Sequence, residues 1–317
     1  MRRTVGALLV LAACGKPATR ESVRVTVPRG AGFTAVSESL QVHGVIGSTR
    51  WFRLYARLRG LDRSIQAGVY DLPRGLATPD VFRMLASGST ALERLVIPEG
   101  SMLTELAGAV ETQLGIPADS VLVAARDAAL LDRVGAGAAT LEGYLYPSTY
   151  HVRVGVSATE VVRQMLAEFE ARWRPAWDAR ADTLGLTRHD IVILASIIEG
   201  EVLHDRDRPF VSSVYHNRLR AGWRLQADPT VIYALGRRRR LFQKDYALAS
   251  PYNTYQIDGL PPGPIGAASA ASLAAALYPA RTNFFYFVAR ADGHHVFSRT
   301  LREHNAAIAR IRGASER

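Results

Sequence analysis

Leu194-Ala195-Ser196-Ile197-Ile198-Glu199-Gly200-Glu201 sets two acids at the end of an otherwise apolar run. Upstream, Thr187 followed three residues later by Asp190 has the spacing of a capping box, so a helix is predicted to start there. Ile191, Leu194, Ala195, Ile198 and Val202 then fall on one stripe, and Val192 and Ile197 widen it around the axis. A helix that is apolar nearly all round is a buried one. Glu199 is therefore expected to project from a core helix into a poorly solvated cleft, where desolvation disfavours its anion and raises its pKa. A carboxyl so placed can donate a proton near neutral pH.

Outward from that helix, the 317 residues suffice for a sizeable core and about two domains. Lys plus Arg number 39 against 29 Asp plus Glu, a net charge of +10 that attracts polyanions or anionic lipid headgroups. Nucleic acid is the usual partner of such a charge, but the N-terminus argues against it. Met1-Arg2-Arg3 followed by the apolar run Val5 to Ala13 reads as an export signal. The run is shorter than the roughly 20 residues that span a bilayer. It ends in Leu11-Ala12-Ala13-Cys14, which resembles the lipobox of bacterial lipoproteins and makes Cys14 a lipidation candidate. The alternatives are an ordinary small residue in a cleaved signal, or a start further upstream. Cys14 is also the only cysteine, so no disulfide forms within the chain.

After a polar linker, Gly15 to Glu21, the pattern predicts a strand at Val23–Val27 and a turn at Pro28-Arg29-Gly30. One helix carries Ala35, Leu40, Val42 and Val45, a second Trp51, Phe52, Tyr55 and Leu58, and a strand returns over Ala67–Leu72. This order resembles a LysM-like glycan-binding module, with a generic small α+β unit as the alternative. Thr78-Pro79 starts a helix that ends at Gly88, a strand follows over Glu93–Ile97, and Leu103, Leu106 and Val110 mark another helix. The chain closes with a strand, Phe284–Val288, and a polar helix from about Thr300; the Ala-rich tracts 107–140 and 267–280 read as helices. The expected class is α+β, with a membrane-targeting segment and linker over 1–21, the LysM-like module over 22–92 and a mixed α+β catalytic domain over 93–317.

Polar groups cluster between apolar ones in Tyr215–Leu219, Leu225–Tyr233, Pro251–Tyr255 and Gly259–Ile265. Rigid loops rich in Tyr and Asn suit sugars, whose apolar faces stack on rings while their hydroxyls take side-chain hydrogen bonds. Asn217 and Gln226 are candidates to hold substrate hydroxyls or orient Glu199, with core hydrogen bonding as the alternative; Tyr252 and Asn253 are similar. Asp228 is either a partner carboxylate or the cap of a helix over Thr230–Leu235. Glu201 lies about 200° around the helix from Glu199 and is read as a support or surface residue unless the helix breaks at Gly200. His204, Asp205 and Asp207 lack a zinc-protease pattern, and His294-His295 beside Gly293 read as a hairpin turn. Neither metal nor organic cofactor is expected. Arg237–Arg240 is either a solvated loop or a grip on anionic glycan peptides or headgroups, and is too short to imply nucleic acid.

Leu194–Glu199, Leu225–Tyr233, Tyr252–Tyr255 and Gly259–Ile265 together resemble the signature blocks of the MltG (YceG-like) endolytic murein transglycosylases, in order and spacing. Weaker similarity runs through Ile97–Ser101 and Leu141–Pro147, from about Val23 to the C-terminus. The resemblance implies that Glu199 is the catalytic acid and that the substrate is the glycan strand of bacterial peptidoglycan. It further implies action outside the cytoplasmic membrane to terminate strand elongation, attachment to the membrane through the N-terminal segment, and peptidoglycan synthases as partners. Such chemistry needs a single acid: it protonates the MurNAc–GlcNAc oxygen, then takes the proton of the MurNAc C6 hydroxyl that closes a 1,6-anhydro ring. The rivals are a hydrolytic muramidase with Asp228 or Glu201 as second carboxylate, and a noncatalytic glycan-binding lipoprotein. Gly200 and Ala227 stand where the family often has larger or hydroxyl side chains, which is expected to loosen the cleft.

Overall fold

The computed structural model describes residues 21–88, 91–135 and 137–315. The stretch read as an N-terminal signal, with Cys14, lies outside the described residues. Among those residues no helix is long and apolar enough to cross a membrane. They fall into two compact units: one runs up to Leu92 and takes in Arg153–Gly155, and the other comprises Glu93–Val152 and Val156–Arg317.

In the first unit the order is β1 (Ser22–Val27), α1 (Phe33–Val42), α2 (Thr49–Arg59), β2 (Gly68–Pro73) and α3 (Thr78–Ser87). β1 and β2 pair antiparallel in a register that sets Ser22 opposite Pro73 and Val27 opposite Gly68. Alternation sends Val25, Val27, Tyr70 and Leu72 into a core shared with Leu40, Phe52 and Phe82. Phe52 and Phe82 stack with centroids 4.4 Å apart. Two details differ from the sequence pattern. Val45 is buried but lies past the end of α1, because Gly44 turns the chain at φ +71°. Trp51 and Leu58 lie on α2, but they point outward while Phe52 and Ala56 face the core.

The second unit is mainly helical. Its first part comprises β3 (Leu92–Val96), α4 (Leu103–Leu114), α5 (Ala118–Ala124), α6 (Ala128–Val134), β4 (Thr149–Arg153), α7 (Ala158–Arg172) and α8 (Ala176–Leu184). Then come α9 (Arg188–Glu201), α10 (Arg208–Arg220), α11 (Asp228–Ala234), α12 (Ala270–Leu277), β5 (Tyr286–Ala289), β6 (His295–Ser298) and α13 (Leu301–Ser315). β3 pairs with β4, and β5 with β6 in an antiparallel hairpin. Of the Ala-rich tracts, 107–140 is divided among α4, α5 and α6, whereas 267–280 is helical only within α12.

α9 is the axis of this unit. Thr187 accepts from the Asp190 N–H at 3.1 Å, and Asp190 accepts from the Thr187 N–H at 2.9 Å, which completes the capping box. Every residue from Ile191 to Ile198 is buried, and α8, α10, α11 and α12 pack around it. The helix continues unbroken through Gly200 to Glu201. Gly200 does not loosen anything, contrary to expectation. A Cβ there would lie 2.7 Å from Pro229 Cβ and 2.9 Å from Pro229 Cγ, so the first turn of α11 is seated directly on the α9 backbone.

In an open helix Gly→Ala gains up to about 1 kcal/mol. Here overpacking against a buried proline ring, about 1–3 kcal/mol, outweighs that gain. Gly200→Ala is expected to lower the urea midpoint by an amount equivalent to about 1–2 kcal/mol; an unchanged or raised midpoint would show that α11 can retreat.

Candidate active site

Glu199 emerges where the covering of α9 ends, with a side chain only 6% exposed. Its Oε2 accepts from the Ser269 N–H at 2.9 Å and from the Ser269 hydroxyl, and lies 3.2 Å from Arg208 Nη1. Among the described residues no hydrogen bond reaches Oε1. Ser269 is the N-cap of α12, its Oγ also accepting from the Ser272 N–H at 3.2 Å, so the positive end of that helix faces the carboxylate. Arg208, itself buried, is fixed by Asp205 at 2.9 Å and by the Ser272 hydroxyl. The expectation of a bare acid in a dry cleft is thus corrected. A guanidinium and two donors brace Glu199 through one oxygen.

The Pro98–Ser101 loop lies against the same side chain. Gly100, at φ +72°, would place a Cβ 3.8 Å from Glu199 Cγ, and its N–H donates to Ala267 at 2.7 Å. At Gly266 a Cβ would come within 2.8 Å of the Gly100 carbonyl, so the two loops meet backbone to backbone. Glu99 is thereby brought into the field of Glu199. Its carboxyl is pushed up, first by burial and then by the Glu199 charge, while Arg208 acts the other way. Arg238 straps this loop, donating to the Gly100 carbonyl at 2.6 Å and to Glu105 at 2.7 Å, and Arg239 pairs with Asp245. Half of the basic run is therefore structural.

Glu201 points elsewhere, as its 200° offset requires. It is not a surface residue. It accepts from the Tyr215 hydroxyl at 2.9 Å and from the Asp228 N–H, and lines a cavity of about 410 Å³ with Arg218, Gln226, Asp228, Tyr255 and His304. Burial pushes its carboxyl up to about 7. Asp228 does not cap α11. Its carboxylate instead accepts from Tyr255 at 2.7 Å and Tyr246 at 3.4 Å. Gln226 is the only non-glycine with positive φ, +52°, among the described residues, and its exposed side chain also lines the cavity. Strain of this kind persists at functional positions when its surroundings enforce it. Here Thr254 does so, accepting from Gln226 N–H at 3.1 Å and, through Oγ1, from Ala227 N–H at 2.9 Å.

The other expected sugar contacts prove to be braces. Asn217 donates to the Thr282 and Phe284 carbonyls at 3.1 and 2.7 Å, and Asn253, fully buried, to those of Tyr246 and Leu248 at 3.1 and 2.8 Å. Neither amide has donors left for a hydroxyl or for Glu199. Tyr252 packs on Tyr233, whose hydroxyl donates at 3.3 Å to the buried Glu142, a second carboxyl that burial pushes up to about 7. His204 stacks on His294, and His295 opens β6 with both its N–H and Nδ1 on Asp207, at 2.7 and 3.0 Å. Among the described residues no group of three or more His, Cys, Asp or Glu side chains is placed to hold a metal.

The YceG-like family model matches residues 25–310. The chain belongs to the YceG-like family. A Bacillus subtilis protein named endolytic murein transglycosylase is 31% identical over 91% of this chain and 84% of its own length. A Streptococcus pneumoniae protein of the same name is 26% identical over 92% of this chain, which spans 58% of that longer relative. The 2.6 Å crystal structure of a yceG-like protein from Listeria monocytogenes superposes with a TM-score of 0.63 at 32% identity, covering 90% of this chain and 98% of that one. Within this YceG-like chain, Arg208, Ser269 and Glu99 escaped the sequence reading. Glu99 alone carried a signal there, lying inside the Ile97–Ser101 block.

Glu201 and Glu142 hold protons in the folded state that the unfolded chain releases near the ordinary carboxyl value of 4.5. Between about 4.5 and about 7 the folded state therefore binds more protons, and stability falls as pH rises through that window. Glu201→Gln, which keeps an acceptor for Tyr215, is expected to flatten part of that fall and to stabilise the protein at pH 8 by about 1–3 kcal/mol. Urea titrations across the window read this directly, and an unaltered slope would remove Glu201 as the proton holder.

Proposed function

We propose that this chain is an endolytic lytic transglycosylase that cuts the MurNAc–GlcNAc bond within peptidoglycan strands and leaves 1,6-anhydroMurNAc ends. The observation that carries the reading is the asymmetric hold on Glu199: among the described residues Oε2 has all the partners and Oε1 none. Oε1 is then the atom that gives and takes the proton. In its acid form it protonates the glycosidic oxygen as the C1–O bond breaks. The resulting carboxylate is stabilised by Arg208, Ser269 and the start of α12. It next accepts the proton of the C6 hydroxyl as that oxygen bonds to C1, which returns the acid and closes the ring. Since the nucleophile belongs to the substrate, positioning the sugar replaces activation of a water.

Gln226, Asp228 and Tyr255, around the cavity beside α9, supply donors, acceptors and a ring face suited to a sugar further along the strand. Names borne by the relatives support peptidoglycan as substrate. In this reading the first unit is a LysM-like glycan-binding module, the N-terminal segment ending at Cys14 attaches the protein to the membrane, and the enzyme works in the cell envelope. Peptidoglycan synthases would extend the strands it terminates. A hydrolytic muramidase remains the second reading because Glu99 shares the field of Glu199. Glu201 and Asp228, the carboxylates nominated for that role from the sequence, are instead held by Tyr215 and by Tyr255.

Uncrosslinked glycan strands digested with the protein are expected to give products one water lighter than hydrolysis does, and Glu199→Gln to bind strands but release none. Water-ended products in the mass spectrum would move the assignment to the hydrolase, and undiminished cleavage by Glu199→Gln would remove Glu199 from the mechanism. Ser269→Ala takes away one charge-assisted donor and is expected to lower kcat roughly tenfold with KM little changed. An effect confined to KM would mean that Ser269 serves binding rather than proton transfer.

A further inference from the structure

α2 has two apolar faces. Phe52 and Ala56 are fully buried in the core of the first unit, yet Trp51, Leu54 and Leu58 on the other side are 61%, 46% and 74% exposed. At 100° per residue these three fall within about 60° of one another. Arg50 and Arg57 flank the stripe on one side and Arg59 on the other. The helix, Thr49–Arg59, carries four arginines and no acid. Arg53 is occupied by Glu38 and Ser37, but Arg50 and Arg57 enter no ion pair among the described residues. A surface helix ordinarily turns its polar residues outward. An exposed Trp-Leu-Leu stripe bordered by arginines is the pattern of a helix lying in a membrane interface.

We propose that the outer face of α2 rests on the anionic surface of a membrane, with Trp51, Leu54 and Leu58 entering the headgroup boundary and Arg50 and Arg57 pairing with lipid phosphates. Two further observations favour a membrane over other partners. The stripe is convex and lies on a single helix, whereas sugars are taken in concave sites, and a second copy of the chain would set arginines against arginines. The apolar run Val5–Ala13 is also separated from β1 only by Cys14–Glu21. Eight residues, even fully extended, span at most about 29 Å, so a bilayer holding that run is within reach of the unit. The contact is distinct from the N-terminal attachment and does not depend on the chemistry of Glu199.

The full chain reconstituted in phosphatidylglycerol vesicles with brominated acyl chains tests this. In a Trp223→Phe background, which removes the other exposed tryptophan (45%), emission is expected to be quenched, and Trp51→Phe to abolish that quenching, since Trp173 and Trp177 are buried. Arg50→Glu/Arg57→Glu, which touches no internal partner and should leave the thermal midpoint in place, is expected to reduce the quenched fraction about tenfold. Brominated phosphatidylcholine alone should quench equally little. Quenching unaffected by Trp51→Phe, or undiminished by charge reversal or in phosphatidylcholine, overturns the assignment. So does a Trp51 signal that responds to isolated glycan strands and not to vesicles.

Discussion

A helix without a polar face must be covered on every side, and α9 imposes that requirement on the whole second unit. Eight consecutive residues of it, Ile191–Ile198, are buried. Covering them takes α8, α10, α11 and α12, which come from stretches far apart in the chain. The loops between these helices are consequently drawn to the end of α9, where the apolar run stops. Ser196 shows the coupling at one atom. Its Oγ donates to the Ile193 carbonyl at 2.7 Å and accepts from the Ile265 N–H at 3.0 Å, pinning the Pro-rich loop to the helix.

At that end the unbroken helix separates two acids only one residue apart. Glu199 meets α12 and the start of α10, whereas Glu201 meets Tyr215 and the start of α11. Gly200 lets α11 sit directly on the helix between them, because a side chain there would meet the Pro229 ring. A glycine that costs helix propensity is retained where backbones must approach. In this chain it divides one carboxyl neighbourhood into two with different partners.

The local parts of this arrangement were legible in the sequence. The capping box at Thr187 and Asp190, the apolar stripe and the divergence of Glu199 from Glu201 follow from helical spacing alone. So did the strand-helix-helix-strand order of the first unit. What escaped was non-local. Ser269 lies 70 residues from Glu199 along the chain, and nothing near it distinguishes an N-cap that also holds a carboxylate from any other N-cap. Asn217 and Asn253 erred in the opposite direction. An amide in a polar block is equally suited to a sugar hydroxyl and to a backbone carbonyl, and the carbonyls that claim these two, such as Phe284 and Leu248, belong to loops whose paths local patterns do not predict. Asp228 followed the same rule, since its tyrosine partners come from the 246–255 loop.

Three buried or nearly buried carboxyls, Glu142, Glu199 and Glu201, compete for the role of proton donor, and pKa alone would nominate two that the proposed mechanism does not use. Glu142 and Glu201 are both pushed up to about 7 by burial, the usual mark of a functional acid. Geometry comes before pKa, however, because a proton donor must reach the bond it protonates. Both oxygens of Glu142 accept from the Leu103 N–H, and one also from Tyr233. Glu201 is held by Tyr215 and by the first N–H of α11. Glu199 combines an oxygen fixed by Ser269 and Arg208 with one that no hydrogen bond reaches among the described residues, and in the proposed mechanism those partners stabilise the anion left after the proton has gone. Under the proposed mechanism an acid used twice in one cycle gains from such a hold, since the carboxylate must survive between donating to the glycosidic oxygen and accepting from the C6 hydroxyl.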